Sequence, residues 1–210
     1  MDFNVVLFAI IGINVLFSYK GFEDNFFFRK YEFHVGSIRS GEQIRMISSA
    51  FLHVDIAHLV FNMLTLYFFA PYVYINLGNF SFLIIYLASL IFGSLLTMSF
   101  HKNDYNYRAV GASGAVTGIV FSAIMIEPRI QIYGFIPGVM FGIIYLLYSI
   151  YGMKTKNDNI GHTAHFGGAI GGYVLTLVKY PSLFFDNTLT VIVLAIPIVI
   201  LFVMAKQGKL

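Results

Sequence analysis

Along this chain polar residues fall in short clusters and apolar residues in long runs. Continuous apolar stretches of roughly 17 to 21 residues, the length that crosses a bilayer as a helix, recur at Phe3 to Tyr19, Ile56 to Ile75, Phe80 to Phe100, Ala109 to Ile126, Tyr133 to Tyr151, Ala164 to Tyr180 and Leu189 to Ala205. The runs are unbroken, whereas the strands of a membrane barrel alternate apolar and polar positions. The pattern therefore predicts an all-α fold, a polytopic transmembrane helical bundle of seven spans. The first run lacks a basic start and leads into Tyr19 and Lys20 rather than a small-residue cleavage site, so it is expected to stay as a helix.

The connections divide into one long and several short. Residues 20–46 hold FEDNFFFRKYEF, which interleaves aromatic and charged residues, and the pattern suits an amphipathic segment in the membrane interface. The others lie near 76–79, 101–108, 127–131, 152–161 and 181–187, with Pro128 as a helix stop. Glycine at both ends of 152–161, around KTKNDN, suggests a flexible cap. Two units are expected, a six-helix core over 1–180 and an additional C-terminal helix with a short tail over 181–210.

Composition narrows the function classes. With 58% hydrophobic and 11% charged residues and a mean hydropathy of +0.78, the chain is no soluble globule. Without cysteine, it can have no disulfide, thiol chemistry or thiolate metal site. The net charge of +3 resides in the loops and gives a nucleic-acid reading no support. The expected partner is instead the lipid bilayer, with a multi-pass position in a bacterial cytoplasmic membrane.

Alternation of the spans puts the connections after spans one, three and five on one side. The starts of spans two, four and six lie near that side and carry His58 and Asn62, Ser113, and His165. Polar groups from three helices thus reach a similar depth. Lysine and arginine are also concentrated there, with only Arg129 and Lys179 opposite, so the positive-inside rule turns this face to the cytoplasm.

Ser113 sits in VGASGAVTG. Small residues let membrane helices approach, and Gly114 with Gly118 is a small-xxx-small pair, so packing is one reading. In the other, glycines including Gly111 free the backbone around a nucleophile at a helix N-terminus, where amide groups can face a substrate carbonyl. Ala115 after Gly114 rules out the G-x-S-x-G elbow. His165 lies in HTAHFGGAIGGY. An imidazole in a span is a functional candidate by default, and the i, i+4 pairs of Gly167, Gly168, Gly171 and Gly172 would bring span six close to span four. His165 could then take the serine proton. His58 and Asn62, four apart on one face of span two, could aim donors at an oxyanion. With no acidic third member evident within a span, a Ser/His dyad is the expectation. The rival use of His53, His58, His162 and His165 as metal ligands lacks an H-E-x-x-H pattern and leaves Ser113 idle. No metal and no cofactor are expected.

GEQIRMISSAFLHVDIAHLVFNM, GASGAVTG and AHFGGAIGG, in this order on alternate helices, resemble the first loop and second helix, the catalytic helix and the sixth helix of the rhomboid intramembrane serine proteases. The resemblance covers about Gly41 to Tyr180. It implies a six-helix core, an endopeptidase acting on transmembrane protein substrates, Ser113 as nucleophile and His165 as base. It also implies that Asn62, His58 and the Ser113 N–H surround the oxyanion. Gly111, Gly114, Gly168, Gly172, Glu42 and Arg45 would be structural, with Glu42 and Arg45 paired. Ile44 stands where the family often has tryptophan, Thr117 where some members carry an aromatic residue stacked on the base, and Tyr74 or a neighbour where some have glutamate. Family topology turns the site outward, against the charge bias, and is the orientation favoured here. A non-catalytic rhomboid-like helix-binding protein and a small transporter are the alternatives. Against the transporter, the polar groups cluster at one side and not at the midplane.

Overall fold

The structure is a computed structural model in which residues 4–132, 134–155 and 161–210 are described. Helix α1 (Val5–Glu23) starts where the Asn4 side chain accepts from the Leu7 N–H at 3.0 Å, a conventional N-cap. Asp24 ends α1 and caps α2 (Asn25–Tyr31).

The expected interfacial segment is a compact set of short elements: α2, strand β1 (Phe33–His34), α3 (Val35–Arg39) and α4 (Arg45–Ser48). Buried Glu32 is their centre. Arg29 reaches it at 3.2 Å, and Arg108, from a distant loop, pairs with it directly. Arg45 pairs with Glu42 at 2.6 Å, as expected, and donates to the carbonyls of Arg29 and Glu32 at 2.7 and 3.1 Å. A carboxylate removed from water needs such cations, so these charges hold the loop together.

Helix α5 (Ile56–Phe100) contains spans two and three, divided at Gly78, whose φ of +81° no helix accommodates. Across this turn Tyr74 rests edge-on against Phe82, and Asn4 donates to Asn79 at 2.6 Å.

The structure shifts several expected span boundaries. Span four begins as α6 (Ser113–Ile126), not at Ala109: β2 (Arg108–Ala109) pairs antiparallel with β1, and Gly111 has φ +128°. Span five begins as α7 (Gly138–Thr155), because β3 (Gln131–Ile132) and β4 (Ile136–Pro137) form a hairpin around Gly134 at φ +77°. The expected starting residues Phe3 and Tyr133 lie outside the described residues, as do 156–160 of the expected cap. Gly152, expected at the flexible end of that cap, is inside α7, where a Cβ would overlap the His162 ring. Span six is α8 (His162–Lys179), followed by α9 (Leu183–Asp186) and α10 (Thr188–Lys206).

Two glycine faces on α8 determine how the bundle closes. A Cβ on Gly168 would overlap the Gly114 carbonyl, and one on Gly172 the Gly118 carbonyl, so α8 meets α6 backbone to backbone. On the neighbouring face, a Cβ on Gly167 would stand 2.5 Å from the Phe92 carbonyl oxygen and one on Gly171 2.9 Å from the Ser89 Cα, fixing α8 against α5. At 14 residues, α6 is about 21 Å long, short of the ~30 Å hydrocarbon layer. Gly114 through Met125 are all buried, so α6 is enclosed by protein. Among the described residues, α1, α5 and α10 are long and apolar enough to cross a membrane. Tyr173 donates to the Val191 carbonyl and Asn187 to the Met125 carbonyl, each at 3.0 Å, which joins α10 to the core. The chain is an integral, multi-pass membrane protein.

Candidate active site

The close approach of α6 and α8 brings Ser113, at the first turn of α6, to His165, at the first turn of α8. The Ser113 Oγ lies 2.7 Å from the His165 Nε2. No side-chain oxygen caps α6, because its N-cap is Ala112. The N–H groups of its first turn are therefore available to an acceptor, and the helix dipole favours negative charge there.

The two residues before Ser113 are held in place. The Gly111 N–H donates to the Ser49 carbonyl at 3.0 Å, and the Ala112 N–H to the His53 Nε2 at 3.3 Å. Since His53 Nε2 accepts, its Nδ1 carries the proton and donates to the Ser18 Oγ at 2.8 Å, whose own proton goes to the Phe51 carbonyl. Burial, reinforced by neighbouring His58, pushes His53 down to about 3. It is a neutral bracket for the loop before Ser113, with both ring nitrogens engaged in hydrogen bonds. Among the described residues no cluster of three or more metal-ligating side chains occurs.

His58 reaches the site and Asn62 lies one turn behind it on α5. The His58 ring stands edge-on to His53 at 4.9 Å. A Cβ on Gly111 would be 2.8 Å from its Cε1 and 3.7 Å from the Ser113 Oγ, so Gly111 is glycine both for its φ and for this gap. The His58 Nδ1 is buried without a hydrogen-bond partner. Asn62 donates to the His58 carbonyl at 3.0 Å. A cavity of about 40 Å³, bordered by Ser49, Thr97, Gly111, Ser113 and Ala164, has room for about one water.

One residue at the site escaped sequence reasoning. The Tyr145 ring, from α7, is stacked on the His165 imidazole with centroids 5.7 Å apart and an interplanar angle of 27°. Its hydroxyl is 3.3 Å from the Thr117 Oγ1. Thr117 signalled a missing aromatic on α6, but no sequence spacing indicates that α7 supplies one.

The structure thus sets a serine hydroxyl within hydrogen-bond reach of an imidazole, inside a polytopic bundle and beside an uncapped helix N-terminus, the geometry that an activated nucleophile and its base require. The Rhomboid domain model matches residues 40–182, and the chain belongs to the rhomboid family. It is 31% identical over 188 residues to "RHOMBOID-like protein 12, mitochondrial" of Arabidopsis thaliana, a match covering 80% of this chain and 56% of that protein. In Bacillus subtilis it resembles "Putative rhomboid protease YdcA", at 34% identity over 67% of this chain and 69% of the relative. It also resembles "Rhomboid protease GluP", at 34% identity over 65% of this chain and 26% of the relative. The chain thus spans little more than half of the plant relative and about a quarter of GluP.

Proposed function

We propose that the protein is an intramembrane serine endopeptidase that cuts transmembrane segments of other membrane proteins with a Ser113/His165 dyad. The observation that carries this reading is the 2.7 Å contact between the Ser113 Oγ and the His165 Nε2 at the N-terminus of α6.

Peptide bonds in lipid are held in helices, so a substrate must unwind locally before its carbonyl is accessible. Helix-weakening glycine, proline or polar residues near the cut are therefore favoured. Ser113 Oγ attacks the carbonyl carbon as its proton passes to His165. The oxygen gains the negative charge next to the N–H groups of α6, with His58 and Asn62 as the proposed side-chain donors. Collapse of the tetrahedral intermediate breaks the C–N bond, and His165 protonates the departing amine. Water, for which the neighbouring cavity has room, gives a proton to His165 and attacks the acyl carbon, which releases the acid and restores Ser113.

Cleavage of a glycine-containing single-pass peptide in liposomes tests this. The native chain should cut, while Ser113→Ala and His165→Ala should fall to background; cutting by Ser113→Ala would overturn the nucleophile assignment. A fluorophosphonate should label native Ser113, whereas a packing serine stays inert. Absence of labelling and cutting in the native chain would favour the helix-binding alternative.

In a bacterial cytoplasmic membrane, the seat we propose, the site faces outward. The engagement of Arg29, Arg45 and Arg108 with Glu32 and Glu42 supports discounting them as topology signals. The chain lacks cysteine, so Asn103→Cys in the exposed loop gives a unique label. Modification by an impermeant maleimide from outside is expected; protection would reverse the orientation.

A further inference from the structure

We propose that Tyr145 is the positioning residue of the His165 base, so that the competence of the dyad depends on the seat of α7 as well as on α6 and α8. The proposal rests on the dyad reading above. An imidazole that shuttles a proton must keep one ring orientation, and a carboxylate is the common means of holding it. Among the described residues, two aromatic neighbours contact the His165 ring. Tyr145 covers its face, and His162 stands edge-on at 6.3 Å.

Tyr145 is itself fixed at both ends. Phe141, one turn earlier on α7, stacks on it at 5.6 Å and 18°. At the other end, Thr117 donates its proton to the Ser113 carbonyl at 2.7 Å, leaving the Tyr145 hydroxyl as donor to the Thr117 Oγ1. One side chain therefore touches the ring of the base and, through one hydroxyl, the backbone of the nucleophile. α7 is located by a second close contact, where Gly152 leaves space for the His162 ring.

The stacking acts more strongly in the transition state than in the ground state. Neutral His165 becomes imidazolium as it takes the serine proton, and an aromatic face attracts a cation more than a neutral ring. An interaction strengthened on the way to the transition state appears in kcat and leaves KM unchanged.

The test compares Tyr145→Leu and Tyr145→Phe with the native chain, using cleavage of the same peptide in liposomes and the rate of fluorophosphonate labelling of Ser113. Circular dichroism and thermal unfolding identify a temperature at which all three are folded. Tyr145→Leu is expected to lose about tenfold in kcat at native KM, with labelling slowed in parallel. Tyr145→Phe, which keeps the ring and loses only the Thr117 contact, should restore most of both. Native kcat and labelling in Tyr145→Leu would overturn the proposal, as would equal loss in both variants or a change confined to KM. If the native chain is neither labelled nor active, the dyad reading itself fails; if it is labelled and Tyr145→Leu behaves identically, only the role of Tyr145 fails.

Discussion

Replacing Gly168 by alanine should disable the site without touching either member of the dyad. The added methyl overlaps the Gly114 carbonyl, a backbone atom that cannot rotate away, immediately after Ser113. Nor can α8 retreat, because on its adjacent face Gly167 is already against Phe92 and Gly93 of α5. The Ser113–His165 contact of 2.7 Å can lengthen by only about 0.5 Å before general-base geometry is lost. Relief of the overlap must come from parting α6 and α8, which opens that contact directly. Misplacement on the order of 1 Å lowers turnover by roughly 100-fold, and overpacking of this kind destabilises by about 1–3 kcal/mol. Both are measurable on protein in liposomes, the first as kcat on a glycine-containing transmembrane peptide and the second as the thermal unfolding midpoint. Gly12→Ala is the control, since a Cβ there meets nothing within 4 Å, and it should change neither. Turnover within a few-fold of native together with an unchanged midpoint in Gly168→Ala would refute the close-packing argument.

Gly111→Ala combines a positive φ with a Cβ 2.8 Å from the His58 ring, and should reduce fluorophosphonate labelling of Ser113 more than it reduces the unfolding midpoint. Arg45→Ala leaves the carbonyls of Arg29 and Glu32 without their donor and is expected to destabilise by about 1–3 kcal/mol; Arg45→Lys should recover only part, because an ammonium does not reproduce the guanidinium fork. His53 titrates near 3 when folded, against 6.5 in an unfolded chain. Between these values the unfolded state binds more protons, so the stability His53 contributes is complete above pH 6.5 and declines as pH falls toward 3. The unfolding midpoint of His53→Gln should therefore vary less than native over this interval, and equal slopes would refute the assignment.

The sequence by itself determined the material of the fold: runs long enough to span a bilayer, glycines spaced at i, i+4, and His58, Asn62, Ser113 and His165 near the starts of alternate spans. These features have local causes, since bilayer thickness and helical repeat act on neighbouring residues. The pairing of Ser113 with His165 was legible for the same reason, because glycine on both partner helices anticipates close approach. Tertiary structure decided what depends on residues far apart in the chain. Ala109 leaves the apolar run of span four because distant β1 claims it, as Glu32 claims the neighbouring Arg108. Gly152 reads as a loop residue until the His162 ring fills the space beside it. Tyr145 stood unremarked in an aromatic span, and its place over His165 follows only from how α7 packs against the α6–α8 pair, a register that no local period encodes.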